Sequence, residues 1–374
     1  MKKQKQPNLY EPKYCDLQTH KLFDFDNECK NTQRFDIVRY PFIDKLNDKM
    51  LSFFWRPDEI SMGRDKVDYE TNSEDYEKFI ITEQLKKLTM LDSLQGRSPI
   101  FTFGQITTNP EFENCILTWD FFEGSIHSRS YSHIIQSMYP DPQEVFDSTF
   151  DNKILTKHTK TIIRDYNNFY PTVIKYLNGE SIDKKEFKEQ LILALVSVML
   201  LEQLRFYSGF ASFWSLTEFR NIFPGSSKIL QLIARDEGLH TTLVQHVFNT
   251  LRKNDEEGFK DTIEKLTPKI YDMYFEASEE EFEWIDFLYQ HGTPLGINQN
   301  IAKEYIKYLT NLRLRAIGLK SIYPGSTKNP ITWINKWLNF GSSESALQEV
   351  EAVDYQTGGI IMEDVDYGEV MKNV

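Results

Sequence analysis

Two carboxylate–histidine pairs have residue types and spacings that suggest chemistry. Glu237 and His240 lie three residues apart in IARDEGLH, and Glu123 and His127 lie four apart in WDFFEGSIHSRSY. Residues three or four apart share one face of a helix, so each pair can point at one place. Carboxylate and imidazole together suit iron, manganese or zinc. One such pair is a weak signal, because solvated polar residues on an amphipathic helix give the same pattern.

Two single carboxylates add to these pairs. Glu202 interrupts the most apolar stretch, LILALVSVMLLEQLRFY, and Asp92 follows apolar residues in LTMLDSLQGRSP. A carboxylate in such surroundings is rarely buried unless it is paired. An ion pair with Arg205 is the alternative role for Glu202, and a helix N-cap is the alternative for Asp92.

Taken together, the six residues predict a site for two metal ions inside a helical bundle. In that scheme two helices each supply one carboxylate, and two others each supply a glutamate and a histidine. Four carboxylates carry four negative charges, which two divalent cations balance. Open coordination positions favour O₂ activation over a structural role. Tyr131, four residues beyond His127 and therefore on the same helical face, is a candidate electron donor or an ordinary core tyrosine.

The spacing of apolar residues predicts the helices that must position these residues. The predicted fold class is all-α. Ser73 is expected to start one helix, and Asn109-Pro110 is expected to open another, because proline is favoured in a first turn. The predicted helices cover residues 43–51, 73–94, 110–138, 153–177, 184–213, 226–251, 257–289 and 298–314. Residues 1–35 are predicted to form an N-terminal arm, residues 36–340 the helical domain, and residues 341–374 a flexible tail.

Composition restricts the possible classes of protein. The 374 residues are 40% apolar and 14% aromatic, which indicates a large globular core. A net charge of −13 argues against nucleic acid or an anionic membrane as partner. The longest nearly apolar run, residues 191–201, is too short to cross a bilayer, and no hydrophobic signal core begins the chain. The three cysteines, Cys15, Cys29 and Cys115, form no C-x-x-C pair, so a reducing, cytoplasmic location is expected.

At these residues the sequence resembles the radical-generating small subunit of class I ribonucleotide reductase. The resemblance covers roughly residues 35–355 and rests on LSFFWRPDE, LDSLQGRSP, IHSRSYSHII, LEQLRFY, IARDEGLH and PITWINKWL in the family's order. It implies a ferritin-like helical bundle with a di-metal site in its core, a homodimer, and a complex with a separate large subunit. In that large subunit, ribonucleoside diphosphates are reduced to deoxyribonucleotides.

The resemblance also implies roles for individual residues. Tyr131 matches the tyrosine that O₂ and the reduced metals oxidise to a stable radical. Trp55 and Asp236 match a relay toward the surface, and Tyr355 matches the tail tyrosine that hands the oxidising equivalent to the large subunit. The tail is expected to dock there, with residues 360–362 as candidate apolar anchors. The family's di-iron ligands are matched by Asp92, Glu123, His127, Glu202, Glu237 and His240. The same ligands also suit manganese or a mixed manganese–iron pair.

Two departures from the family pattern shape the expectations. The family spacing between glutamate and histidine on the first ligand-pair helix is three residues, whereas Glu123 and His127 are four apart. An inserted residue is often absorbed as a π-bulge, which we predict near residues 120–126, with Gly124 in the extra stretch. The chain also ends in VMKNV, without the usual terminal pattern, so the docking residues stay open.

A different ferritin-like di-metal oxidase or an iron-storage protein is the rival interpretation. Such a protein explains the six ligands. It does not explain the presence of Trp55, Tyr131, Asp236 and Tyr355 together.

Overall fold

The computed structural model describes residues 32–339, together with Tyr10, Tyr14, residues 16–23 and Phe25. Within these residues the protein is a bundle of helices without a strand. The long helices are α1 (Pro41–Ser52), α2 (Asp75–Gln95), α3 (Pro110–Phe121), α4 (Ser128–Met138), α5 (Lys153–Leu177), α6 (Lys184–Leu200), α7 (Phe206–Arg220), α8 (Pro224–Asn254), α9 (Lys260–Leu288) and α10 (Gln299–Ala316). Shorter helices are Gly63–Val67, Ser98–Phe101, Phe103–Ile106, Pro142–Asp147 and Asn335–Leu338.

Two π-helical turns interrupt otherwise continuous helices. The Glu123 turn (Phe122–His127) joins α3 to α4, and the Glu202 turn (Leu201–Arg205) joins α6 to α7. The first confirms the predicted bulge. The second turn was not predicted, because no change in ligand spacing in the sequence indicates an inserted residue there. Both turns contain predicted metal ligands, in keeping with the tendency of π-bulges to lie at functional sites.

All the predicted helices are present, but some helix ends differ from the prediction. Asn109 accepts a hydrogen bond from the Phe112 amide and caps α3, as expected. The prediction that Ser73 starts α2 is wrong. The N-cap is Glu74: its carboxylate accepts a hydrogen bond from the backbone N–H of Glu77, and the Glu77 carboxylate accepts one from the backbone N–H of Glu74. The Ser73 hydroxyl instead donates to the Asp68 carbonyl. Such a reciprocal cap satisfies two amide donors that the helix cannot satisfy itself.

The helix α8 begins two residues earlier than predicted because its N-terminus is capped from a distance. The Asp65 carboxylate accepts hydrogen bonds from the amides of Gly225 and Ser226, at 2.9 and 2.6 Å. Asp65 is fully buried and lies 160 residues away along the chain. Local sequence does not reveal a cap of this kind.

The apolar stretch that contains Glu202 forms the centre of the bundle. The continuous helical segment Lys184–Arg220 is long and apolar enough to cross a membrane by length and composition alone. However, 94% of its most apolar window is buried inside the protein. It packs against α2, α5, α8 and α9, so its hydrophobicity is accounted for by the protein core.

Part of the N-terminal arm is anchored to the bundle. Leu22 and Phe23 are fully buried, and their amides donate to the carboxylate of Glu257 at 3.1 and 3.0 Å. The Phe23 ring meets Phe112 edge to face, with ring centroids 5.7 Å apart. The predicted tail, with Tyr355 and residues 360–362, lies outside the described residues, as do Cys15 and Cys29.

Candidate metal centre

The bundle brings all six predicted ligands into one buried site. Each has a side chain no more than about 1% exposed. Their ligand atoms form two groups, within each of which all atoms lie within 4.8 Å of one another. One group is Asp92, Glu123, His127 and Glu237, and the other is Glu123, Glu202, Glu237 and His240. Because two glutamates belong to both groups, the arrangement suits two neighbouring ions with shared carboxylates.

The first group is centred on His127. Its Nδ1 lies 3.4 Å from Asp92 Oδ1, 3.4 Å from Glu123 Oε2 and 3.2 Å from Glu237 Oε1. The four-residue spacing between Glu123 and His127 therefore leaves both side chains on one side of the helix, because the extra residue is taken up in the π turn.

The second group is centred on His240. Its Nδ1 lies 3.0 Å from Glu123 Oε1, 2.9 Å from Glu237 Oε2 and 3.9 Å from Glu202 Oε2. Glu237 and His240 are three residues apart on α8, so this pair needs no bulge to share a face.

The polar atoms of this site are poorly satisfied by the protein itself. Within the described residues, neither lysine nor arginine forms an ion pair with the four carboxylates. Buried side-chain polar atoms are normally hydrogen-bonded. Yet six atoms that face the site have no hydrogen-bond partner in the described part of the chain: Asp92 Oδ1 and Oδ2, Glu123 Oε2, His127 Nδ1, Glu202 Oε2 and Glu237 Oε1. Four buried carboxylates without a matching cation fit a pair of divalent metal ions.

The pKa shifts express the same imbalance. Burial and the charge of Glu123 raise the pKa of Glu237 to about 8 and lift that of Asp92 well above its ordinary value. Burial and the charge of Glu237 do the same to the pKa of Glu202. Burial also acts upward on Glu123, but the imidazoles of His127 and His240, 3.4 and 3.0 Å from its oxygens, outweigh it and hold its pKa well below the usual range. Divalent cations relieve this repulsion in place of protons.

Neighbouring side chains orient the candidate ligands, and these residues were not predicted from the sequence. Trp119 Nε1 donates to Glu123 at 3.0 Å, and its ring stacks on His240 with centroids 5.3 Å apart. Gln95 Nε2 donates to Glu202 at 2.7 Å, and the Tyr166 hydroxyl donates to Gln95 Oε1 at 3.3 Å. Trp119 lies four residues before Glu123 and Gln95 three after Asp92, so helical spacing was the available signal.

Trp55 and Asp236 connect to the site through His127. Trp55 Nε1 donates to Asp236 Oδ2 at 2.8 Å, and that oxygen lies 3.3 Å from His127 Nε2. Arg235 holds the other carboxylate oxygen at 3.1 Å. Burial acts to raise the pKa of Asp236, but Arg235 and the bonds from His127 and Trp55 outweigh it, so its pKa is lowered. The structure thus places Trp55 and Asp236, the two described residues of the predicted relay, in direct contact with each other, and Asp236 in contact with His127.

Tyr131 is fully buried, and its hydroxyl has no hydrogen-bond partner in the described part of the chain. Burial and then the charge of Asp92 raise its pKa well above the ordinary value. The phenol therefore keeps its proton at neutral pH and lies beside the carboxylate cluster. Phe206, Phe210 and Ile233, three apolar residues that the sequence offers as cover for this phenol, are likewise fully buried.

Both alternative roles for the single carboxylates are wrong. Arg205 does not pair with Glu202, because its guanidinium turns to Glu280 and Glu281 at 2.5 and 3.4 Å. Asp92 is no N-cap, since it lies in the last turn of α2.

Comparison with known proteins identifies the family. A sequence model described as ribonucleotide reductase, small chain, matches residues 34–330. The ribonucleoside-diphosphate reductase subunit beta of Buchnera aphidicola subsp. Baizongia pistaciae is 39% identical over 370 residues, covering 96% of this chain and 94% of that protein. The ribonucleoside-diphosphate reductase 1 subunit beta of Salmonella typhimurium is 40% identical over 343 residues, covering 88% of this chain and 90% of that protein.

The fold comparison agrees. The solved ribonucleotide reductase R2 subunit from Clostridium botulinum superposes with a TM-score of 0.71 at 27% identity, covering 82% of this chain and 90% of that one. The ferritin-like helical bundle, the family match and the buried carboxylate–histidine site lead to one conclusion. The chain belongs to the ribonucleotide reductase small-chain family and is the small subunit of a ribonucleoside-diphosphate reductase.

Proposed function

We propose that this subunit generates a stable radical on Tyr131 beside a di-iron centre and passes the oxidising equivalent to the large subunit. The single observation that carries the proposal is the site itself. Four buried carboxylates and two histidines converge without a lysine or arginine partner in the described residues, and a buried phenol whose hydroxyl has no hydrogen-bond partner there lies next to them. A bound pair of iron ions supplies the redox chemistry with O₂ that oxidation of a phenol requires.

The ligand roles follow from the two groups. Asp92 and His127 would belong to one ion, Glu202 and His240 to the other, and Glu123 and Glu237 would be shared. Trp119 and Gln95 hold Glu123 and Glu202 in place by hydrogen bonds. Because oxygen and nitrogen donors of this kind also suit manganese, a manganese or mixed manganese–iron pair is the alternative content of the same site.

The surroundings of Tyr131 support its role. Complete burial keeps water away from the phenol, and its raised pKa keeps it protonated until it is oxidised. A radical formed there is protected from solvent by the fully buried core around it. The same burial means that the oxidising equivalent must leave through other residues.

The chain Trp55–Asp236–His127 provides the start of such an exit. Each step is a contact of 3.3 Å or less between side-chain atoms. Arg235 fixes Asp236 and also donates to the Phe53 carbonyl at 2.7 Å, which ties the relay to the end of α1. We assign Tyr355 of the tail as the next carrier, toward the large subunit.

The remaining assignments follow the family. Residues 36–340 are assigned to the metal-binding domain, residues 1–35 to its arm, and residues 341–374 to a tail that docks on the large subunit. The subunit acts as a homodimer in the cytoplasm. The net charge of −13 supports a protein partner rather than nucleic acid or a membrane.

Metal analysis with electron paramagnetic resonance tests the radical. Metal-free protein given Fe(II) and O₂ should bind two ions per chain and show a tyrosyl signal. Tyr131→Phe should bind the same metal without the signal, because only the phenol is lost. Tyr139→Phe, at another buried tyrosine, should keep it. Bound iron without a radical in the wild type would contradict the proposal and favour an oxidase or iron store.

A second variant tests the tail. Tyr355→Phe should retain the radical but lose nucleotide reduction in the complex with the large subunit, because the last carrier is missing. Turnover at the wild-type rate in this variant would remove Tyr355 from the relay.

A further inference from the structure

Two glycines face each other beside the ligands. Gly96 follows the last residue of α2, four residues after Asp92, and Gly124 directly follows Glu123 in the Glu123 turn. A Cβ atom built on Gly96 would lie 3.4 Å from both the N and the Cα of Gly124. It would lie 3.1 Å from the carbonyl oxygen of Asp92. The end of α2 and the Glu123 turn therefore touch backbone to backbone, with no side chain between them.

Neither glycine is required by its backbone angles. Gly96 has φ −62° and ψ 4°, and Gly124 is in a π-helical turn, so neither has the positive φ found at five other glycines of the described chain. An L-amino acid can adopt these angles, and alanine would lower the entropy of the unfolded chain. What glycine supplies at position 96 is the absence of a side chain.

The contact is asymmetric. A Cβ atom on Gly124 would meet only the Gly96 carbonyl oxygen, at 3.8 Å, which is an ordinary van der Waals distance. A Cβ atom on Gly96 would lie 3.4 Å from the backbone of Gly124, at the short end of that range, and 3.1 Å from the Asp92 carbonyl oxygen, which is closer than an ordinary contact. Position 124 thus has room for a methyl group, whereas a methyl group at position 96 requires its backbone neighbours to move by a few tenths of an ångström.

We propose that Gly96 is a positioning residue for the metal centre. Its bare backbone lets α2 lie directly against the extra residue of the Glu123 turn, and this contact sets the distance between Asp92 and Glu123, which belong to the same ligand group. The inference rests on the proposed metal centre. Metal–ligand distances are held to about 0.2 Å, so a displacement of a few tenths of an ångström at this contact is enough to disturb the site.

Cobalt titration of the metal-free protein tests the proposal. Wild type and Gly124→Ala should each bind two Co(II) ions per chain with the same visible spectrum. Gly96→Ala should bind one ion as before and the other about tenfold more weakly, with an altered absorption band for that site. The spectrum matters because a purely structural role of Gly96 would change the stability of the metal-free protein without changing the geometry of bound cobalt.

Deletion of Gly124 should restore normal cobalt binding to the Gly96→Ala variant. It restores three-residue spacing between the glutamate and the histidine and removes the backbone that meets position 96. In this background Gly96→Ala should bind cobalt as its parent does, within about twofold. Equal losses in both backgrounds would show that Gly96 acts on α2 alone and would overturn the inference.

The two proposals fail in different ways. Wild-type affinity and spectrum in Gly96→Ala would overturn only the role of Gly96. A wild-type chain that takes up no cobalt would overturn the metal centre itself.

Discussion

Two clusters of buried charge lie on overlapping sets of helices in this protein. One is the candidate metal centre. The other, which we call the ion-pair cluster, consists of Lys87, Arg205, Ser208, Glu280 and Glu281, and its two glutamates lie on α9. Lys87 precedes Asp92 by five residues on α2, and Arg205 follows Glu202 by three in the Glu202 turn. All are 8% exposed or less, so burial does not distinguish the clusters.

The ion-pair cluster is neutralised by the protein itself. Lys87 Nζ lies 2.6 and 2.8 Å from the two oxygens of Glu281, and Arg205 contacts Glu280 and Glu281. Two cations thus face two carboxylates, and Ser208 adds a hydrogen bond to Glu281. Burial acts to raise the pKa of Glu281, but Lys87 and Arg205 outweigh it, so the pKa is lowered.

The difference shows what distinguishes a candidate metal ligand here. A buried carboxylate is compatible with a structural ion pair, as at Glu281, and with a candidate metal site, as at Glu202 on a neighbouring helix. Only the metal centre combines excess negative charge, upward pKa shifts and buried atoms without partners. Charge balance, rather than burial, separates the two kinds of site.

The largest effect is expected from breaking the ion-pair cluster. Lys87→Met should lower the free energy of unfolding by about 3–5 kcal/mol, because Glu281 then stays buried without its closest cation. Urea unfolding measures the loss, and metal uptake should remain two ions per chain. Lys303→Met removes an exposed partner of Asp286 and should cost less than about 1 kcal/mol. Equal losses would show that the buried cluster is not held by charge.

A matched pair of substitutions should change the stability of the metal-free protein in opposite directions in the two clusters. Glu202→Gln should stabilise the metal-free protein by about 1–2 kcal/mol, because it removes a repelled charge while Gln95 can still donate to the amide oxygen. Glu281→Gln should destabilise it by about 2–3 kcal/mol, because Lys87 and Arg205 lose a charged partner.

Metal binding supplies the control for this pair. Glu202→Gln should weaken uptake of one ion, whereas Glu281→Gln should leave both. Destabilisation of the metal-free protein by both substitutions would remove the proposed contrast.

The smallest effect is a dependence of stability on pH. The pKa of Glu237 is about 8 in the folded protein, above its ordinary value of 4.5. Its stabilising contribution is therefore fully present below about pH 4.5 and is lost as the pH rises through 8, with a limiting slope of about 1.4 kcal/mol per pH unit. Asp92, Glu202 and the two histidines, whose pKa values are also raised, act in the same direction, whereas the lowered pKa of Glu123 changes the stability only below about pH 4.5.

Thermal unfolding of metal-free protein between pH 5 and 8 measures this dependence. Glu237→Gln should flatten it, and bound divalent ions should reduce it because they replace the protons. In the ion-pair cluster the lowered pKa of Glu281 has the opposite sign, since its contribution is lost as the pH falls below about 4.5. A stability that falls from pH 5 to 8 as steeply in Glu237→Gln as in the wild type, or that rises with pH in the wild type, would contradict the assignment.

The sequence by itself determined the helices and the six candidate ligand residues. Apolar periodicity located the long helices, because one face of each must be buried whatever it packs against. Spacings of three and four placed Glu237 with His240 and Glu123 with His127. The inserted residue predicted the π turn, since a helix with an extra residue must either bulge or rotate its ligands apart.

The tertiary structure alone decided which charges meet. Arg205 is three residues from Glu202 but pairs with Glu280, 75 residues away, while Glu202 is bonded by Gln95, 107 residues away. Trp55 and Asp236 are 181 residues apart. Helical periodicity shows the direction in which a side chain points, but the partner it meets is set by packing of helices distant in the chain. Charge balance is therefore a property of the assembled core.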